Sequence, residues 1–248
     1  MTEDIGSPRS GRRTLWAAIR EVVLIVLGVL IALSLESVWQ DRSERMIERE
    51  LLASLRDEFT HNASALDRWL LLHERGAASA HAFLSYLEEV PEGREVAVPD
   101  SLIGELARTP TFDPDMNSLD AALGSGRISL IRSVAIQRVL ANWSRLLLDA
   151  QEQEQRSVNQ TYGELLPLLG SAVSRGPAMS WLASDDRRLM RGEADESRPT
   201  TSSSVVSSAR LVNALWVRYR LEMSAVNELQ ILREGLREAL TLLDGELH

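Results

Sequence analysis

The chain has 248 residues, a formal net charge of −9 and no cysteine. The lack of cysteine excludes disulfides, thiolate catalysis and zinc sites with thiolate ligands. The acidic balance, with no basic stripe, argues against nucleic acid as a partner. Every basic side chain other than histidine is arginine, which indicates a bacterial coding bias.

The first predicted element is an apolar helix near the N-terminus. Its uncharged run, Val22–Leu35, would be about 21 Å long as a helix, shorter than the roughly 30 Å hydrocarbon core of a bilayer. Trp16 and Trp39 flank the run about 34 Å apart, so one indole would lie near each membrane interface. Because the run is apolar on every side, we predict a transmembrane helix over residues 15–39.

This prediction divides the chain into a short tail over residues 1–14, the transmembrane helix over 15–39, and an extramembrane helical domain over 40–248. The competing interpretation is a signal peptide, since Ala32-Leu33-Ser34 fits a cleavage site. We favour an uncleaved signal anchor, because helix-forming sequence continues after this site without Gly or Pro as far as Gly76.

The arginines around the helix set the predicted topology. Four precede the apolar run and three follow it, which favours a cytoplasmic N-terminus by a small margin: Arg9, Arg12, Arg13 and Arg20 before it, and Arg42, Arg45 and Arg49 after it. We therefore predict a single-pass protein of the bacterial inner membrane with a periplasmic C-terminal domain.

Beyond the membrane, the first helix is predicted to continue to about Arg75 and to end at Gly76, with a second helix over 77–90. Its apolar stripe, which includes Asn62, alternates steps of three and four residues, as in a coiled coil. The stretch 94–99 is the only strand candidate.

The middle of the chain is predicted to contain several helices: short ones over 100–109 and 118–123, a long one from the cap Ser133 to about Pro167, and a short one over 176–191. After the second short helix, Gly124 and Gly126 are predicted to form a structural turn with positive φ.

Residues 191–206 are polar and are interpreted as a linker. The last long helix is predicted over 207–244, and Glu222 and Arg233 interrupt its apolar period. We interpret these two residues, together with Asn62, as setting the register of the bundle or selecting a partner. The predicted fold class is all-α: an N-terminal transmembrane helix that continues into an elongated antiparallel helical bundle with coiled-coil-like seams.

The sequence predicts no catalytic, cofactor or metal site. Glu58 and His61 have the Glu-x-x-His spacing of di-iron bundles, but those sites need two copies of the motif and this chain has one. His73 lies about 120° around the helix from His61, and we interpret both as exposed. The run Asp185-Asp186-Arg187-Arg188 is interpreted as a solvated charge cluster.

One narrow face of the predicted transmembrane helix combines acidic residues with small residues spaced by four: Glu21, Ile25, Gly28, Ala32, Glu36 and Trp39. Two interpretations of this face stay open. Either Glu21 reaches headgroup water and Gly28 is incidental, or the face packs against another membrane helix from a second copy or a partner.

The segments EVVLIVLGVLIAL (21–33), LLASLRDEFTHN (51–62) and SLDAALGSGRISLIRS (118–133) resemble an uncharacterised family of bacterial single-span membrane proteins. Its members open with an E-[IV]-x-L-[IV]-x-x-G-[IV]-L-I-A-L helix. Where many of them have Gln and Asn-Asn near the membrane exit, this chain has Ser34, Glu36 and Ser37. The resemblance implies the same anchored architecture and no particular activity.

Together these features favour an interaction or scaffold protein that contacts the lipid bilayer and forms a homo-oligomer or binds another membrane protein. The alternative is a ligand-sensing helical domain that acts through a membrane partner. An enzyme is the third hypothesis, and no cofactor is expected.

Overall fold

The computed structural model describes residues 10–174, 176–193 and 201–247, with side chains from Arg20 onward except Val22. The described chain is mostly helical and contains one two-stranded sheet, so the all-α prediction is confirmed. The chain divides between Leu51 and Leu52 into two compact units.

The first unit is the N-terminal part of helix α1, which spans Ser10–Leu87. Near the N-terminus, α1 contains a segment whose length and composition suffice to cross a membrane, and none of that segment is buried. Its apolar side chains stand exposed, from Val23 at 55% to Val38 at 52%, and Trp39 is 78% exposed. No other helix in the described ranges has this character.

The second unit is built on three long helices: the rest of α1, α4 (Val134–Gln160) and α7 (Ala209–Leu247). Helix α7 runs antiparallel to α1, because Arg56 pairs with Asp244 while His73 pairs with Glu222. Helix α4 runs in the same direction as α1, because Phe59 contacts Trp143 while His73 pairs with Glu154. Their apolar stripes face one another and form a buried core that includes Leu55, Phe59, Leu66, Trp143, Leu229 and Leu236.

Shorter elements connect and cover these helices. In chain order they are β1 (Glu95–Pro99), α2 (Asp100–Leu106), α3 (Asn117–Gly124), a 3₁₀ turn (Arg127–Leu130), a π-helical turn (Thr161–Leu165), α5 (Leu166–Ala172), α6 (Gly176–Arg191) and β2 (Ser202–Val206). The predicted strand at 94–99 and the cap Ser133, which accepts a hydrogen bond from the Ile136 amide, are confirmed.

The linker predicted over 191–206 is wrong at its C-terminal end. Residues 194–200 lie outside the described part, but Ser202–Val206 forms β2 and pairs antiparallel with β1, with Val96 opposite Val205. Val205 is fully buried, and the Ser203 hydroxyl donates to the Asp100 carboxylate at 2.5 Å. A partner strand about 100 residues away stabilises a segment whose own composition resembles a loop.

The predicted helix end at Gly76 is also wrong, because α1 continues to Leu87. A Cβ atom at position 76 would lie 3.2 Å from Oε2 of Glu222. Glycine in a helix costs about 1 kcal/mol relative to alanine. Here it leaves room for a buried carboxylate of α7, so the glycine marks a close approach between two helices.

Candidate functional site

A buried polar network lies at the centre of the three-helix unit. It joins His73 of α1, Glu154 and Ser157 of α4, and Arg218 and Glu222 of α7, none of which is more than 2% exposed. Arg218 and Glu222 are four residues apart, so they lie on the same face of α7. Glu154 and Ser157 share the core face of α4 in the same way.

His73 lies between two carboxylates. Its Nδ1 is 2.6 Å from Oε2 of Glu222, and its Nε2 is 3.2 Å from Oε1 of Glu154. Burial lowers the pKa of His73, but the hydrogen bonds and charges of Glu154 and Glu222 outweigh it and raise the pKa to about 9. At neutral pH His73 is therefore a buried imidazolium that donates from both ring nitrogens.

Glu222 accepts hydrogen bonds from every side. The Ser157 hydroxyl donates to Oε1 at 2.6 Å, and Nη2 of Arg218 lies 2.9 Å from the same oxygen. Burial raises the pKa of Glu222, yet the hydrogen bond from His73, the Arg218 charge and the Ser157 hydrogen bond bring it below its ordinary value. Glu222 is thus an ionised carboxylate between two cations.

Arg218 is the second buried cation. It donates to the Ser157 hydroxyl at 2.6 Å, to the Thr161 hydroxyl in the π-helical turn, and to the Arg108 carbonyl at 2.6 Å. Burial lowers the pKa of Arg218, but a guanidinium keeps its charge in proteins. Glu154 accepts from the Phe112 amide at 3.0 Å, so the network also fixes the loop between α2 and α3 to the bundle.

A second ionic cluster attaches α6 to the same unit. Arg75 of α1 and Arg108, just after α2, both reach Asp185 of α6, at 2.9 and 2.8 Å. Arg108 also lies 3.0 Å from Glu105. Burial raises the pKa of Glu105 and outweighs the lowering effect of Arg108 and Arg75. Asp185 is only 5% exposed, so the interpretation of this run as a solvated charge cluster is wrong at that residue.

Close packing of α6 on α2 explains the burial of Asp185. A Cβ at Gly104 would lie 2.7 Å from the carbonyl oxygen of Ala178. Ala178 is fully buried. Glycine at this position brings the two backbones together and draws the acidic turn of α6 toward Arg75 and Arg108.

Two further buried polar side chains hold loop segments. Glu58 accepts hydrogen bonds from the Ser118 and Leu119 amides at 2.5 and 3.2 Å, so it caps the N-terminus of α3. Asn62 binds both the amide and the carbonyl of Asp115, at 2.9 and 2.7 Å. Glu58 thus acts as a cap, and within the described ranges no group of His, Asp or Glu side chains is placed to hold a metal ion.

The predicted site residues occupy different parts of the molecule. Those of the apolar helix are all exposed in the first unit: Glu21, Ile25, Gly28, Ala32, Glu36 and Trp39. Glu222 belongs to the central network, whereas Arg233 lies away from it, 3.5 Å from Asp67. Gly126 has the predicted positive φ, at 73°. Gly124 is the last residue of α3 and does not have a positive φ.

The sequence does not predict that His73, Glu154 and Arg218 belong to one network, and the interpretation of His73 as exposed is wrong, since His73 is fully buried. One signal was present. Arg218 and Glu222 are spaced by four within an otherwise apolar stripe of α7, a pattern that indicates an internal ion pair.

Both ring nitrogens of His73 are hydrogen-bonded, and its carboxylate neighbours are enclosed. The arrangement therefore stabilises a fixed alignment of three helices and presents no nucleophile or base to a substrate. Comparisons of the chain with models of protein families, with curated proteins and with solved structures find no match.

The raised pKa of His73 predicts a pH-dependent stability. The contribution of its charged form is fully present below the ordinary value of 6.5 and is lost as pH rises through about 9. We expect the free energy of unfolding to fall across this window by at most about 1.4 kcal/mol per pH unit, the limit for one proton. Denaturant unfolding followed by circular dichroism over the window measures it.

The matched variants are His73→Gln and His61→Gln, since His61 is exposed. The first should flatten the slope and the second should keep it. Glu222 acts in a different range, because its lowered pKa makes its contribution present above 4.5 and lost only in acid. An identical slope in both histidine variants would contradict the assignment of the charge to His73.

Proposed function

We propose that this protein is a membrane-anchored helical scaffold. The N-terminal apolar segment of α1 crosses a bacterial inner membrane once, and the bundle outside it binds a second copy or another membrane protein. The observation that carries the proposal is the apolar segment itself, none of which is buried. Burial of apolar surface stabilises by roughly 25 cal/mol per Å², so a bilayer is the natural environment for this segment.

The central network supports a scaffold over an enzyme. Its four charged groups come from three helices and are paired with one another inside the bundle. Buried ion pairs of this kind favour one register over others, because any shift of a helix would leave a charge without its partner. A bundle with one fixed register presents a constant surface for binding.

The small excess of arginine before the apolar run supports a periplasmic location for the bundle. The small residues Gly28 and Ala32 support association between membrane helices, since their spacing permits close backbone approach. The first unit exposes both residues, and a Cβ at Gly28 would meet no atom within 4 Å. We propose this face, which also carries Glu21 and Glu36, as the contact with a second membrane helix.

The predicted consequence is that Gly28→Ile lowers crosslinking of the full-length chain in native membranes about tenfold, because the larger side chain separates the helices. Val23→Ile is the matched control on the opposite side of the helix and should leave the yield unchanged. Crosslinked products are purified in detergent and identified by mass spectrometry.

Three outcomes separate the hypotheses. Equal crosslinking yields for the two variants would show that the helix anchors the chain without packing against a second membrane helix. Recovery of the chain in the soluble fraction would overturn the membrane proposal. Robust turnover by the purified chain without a stoichiometric partner would favour an enzyme over a scaffold.

A further inference from the structure

Helix α1 carries a basic face directly after its apolar segment. At 100° per residue, Arg42, Arg45 and Arg49 fall within an arc of about 60°, with Trp39 and Met46 immediately beside it. The three arginines are exposed, and Trp39 and Met46 are 78% and 68% exposed. These side chains and Ser43 line one shallow depression on the helix surface.

The acidic residues of the same turns lie elsewhere. Asp41, Glu44 and Glu48 fall in a separate arc of about 60° on the other side of Arg45. An ion pair between Arg45 and Asp41 at 3.3 Å joins the two arcs, and both of its side chains are about half exposed. An exposed pair of this kind contributes only about 0–1 kcal/mol, so Arg45 can exchange Asp41 for another anion at little cost.

The position of the basic face along the helix matches the polar layer of a bilayer. Relative to Trp39, Arg42 is about 4.5 Å further along the axis and Arg45 about 9 Å. The headgroup layer is roughly 5–8 Å thick on each side of the hydrocarbon core. Side chains on a helix lean toward its N-terminus, which here means back toward the apolar segment. The guanidinium groups of Arg42 and Arg45 therefore lie at headgroup depth, and that of Arg49, whose position is about 15 Å beyond Trp39, lies at the outer edge of this layer.

We propose that this face, formed by Trp39, Arg42, Arg45, Met46 and Arg49, binds the phosphodiester headgroups of anionic phospholipids in the leaflet from which α1 emerges. The inference rests on the proposed insertion of α1. A guanidinium matches a phosphate with two parallel hydrogen bonds, and the indole and thioether beside it suit the boundary with the acyl chains. The whole chain carries a net charge of −9, so attraction of anionic lipid requires a local basic surface.

The test uses the full-length chain with one fluorophore. Because the chain contains no cysteine, Ser43→Cys provides a single labelling position in the depression that the basic face lines. The labelled protein is reconstituted in vesicles of phosphatidylcholine mixed with phosphatidylglycerol, and either lipid is supplied with brominated acyl chains that quench the label. We expect phosphatidylglycerol to be enriched next to the label by about fivefold for each arginine that reaches the surface.

The double variant Arg42→Gln/Arg49→Gln should lose most of this preference, and raised salt should weaken it. The matched control is Arg138→Gln/Arg210→Gln, which removes the same charge from exposed positions of the bundle and should keep the preference. Equal quenching by the two lipids, or equal loss in both double variants, would overturn the proposal. Flotation with the vesicles is measured first: a chain that fails to float overturns the anchor itself, whereas flotation with equal quenching overturns only the lipid site.

Discussion

Replacing Glu222 with leucine should lower the free energy of unfolding of the bundle by about 3–5 kcal/mol, the usual cost of removing one partner from a buried ion pair. The reason lies in its position between His73 and Arg218, which are both fully buried. Without the carboxylate, the two cations would face each other across a site from which water is excluded, and the Ser157 hydroxyl would lose its acceptor.

Equilibrium denaturant unfolding of the full-length chain in detergent micelles, followed by circular dichroism, measures this loss. Glu238→Leu is the matched control, because Glu238 lies exposed on the same helix and should change stability by no more than about 0.5 kcal/mol. Glu222→Gln keeps the shape and an acceptor, so it should fall between the two. Equal stability of Glu222→Leu and the control would show that the network does not hold the bundle together.

The long helices were predictable because each satisfies its own apolar period. Helix α4 begins directly after the cap Ser133 as expected, since the cap and the stripe after it are properties of a short stretch of chain. Strand β2 was not predictable in this way, because its partner β1 lies about 100 residues earlier and pairing supplies what the local sequence lacks.

The network was only partly visible for the same physical reason. Glu222 attracted attention because it interrupts an apolar stripe, but its partner His73 is 149 residues away along the chain. A charged residue on a core face indicates that a partner exists and does not say which one. Gly76 shows the converse error: its low helix propensity suggested a break, whereas its contact with Glu222 depends on tertiary packing.

The ionic cluster on α6 predicts a local effect rather than a global one. Arg108→Ala should lower the free energy of local opening of α6 by about 3 kcal/mol. Amide exchange of Gly176–Arg191 should therefore accelerate roughly 100-fold. Arg108 is 10% exposed and contacts Glu105, Asp185 and Asp186, so its removal takes away a positive charge that faces the buried carboxylates of Glu105 and Asp185. Its carbonyl, which accepts from Arg218, is backbone and survives the substitution.

Hydrogen exchange of the full-length chain in detergent, read by mass spectrometry, distinguishes release of α6 from unfolding of the whole bundle. Peptides of α4 and α7 should keep their protection, because the central network does not involve the Arg108 side chain. Arg145→Ala is the matched control, since Arg145 and Asp149 form an exposed pair at 2.7 Å and such pairs contribute at most about 1 kcal/mol. Unchanged exchange in α6, or equal acceleration in all three helices, would contradict a local role for the cluster. Arg108→Lys should give an intermediate rate, because an ammonium keeps the charge but lacks the fork that reaches three carboxylates at once.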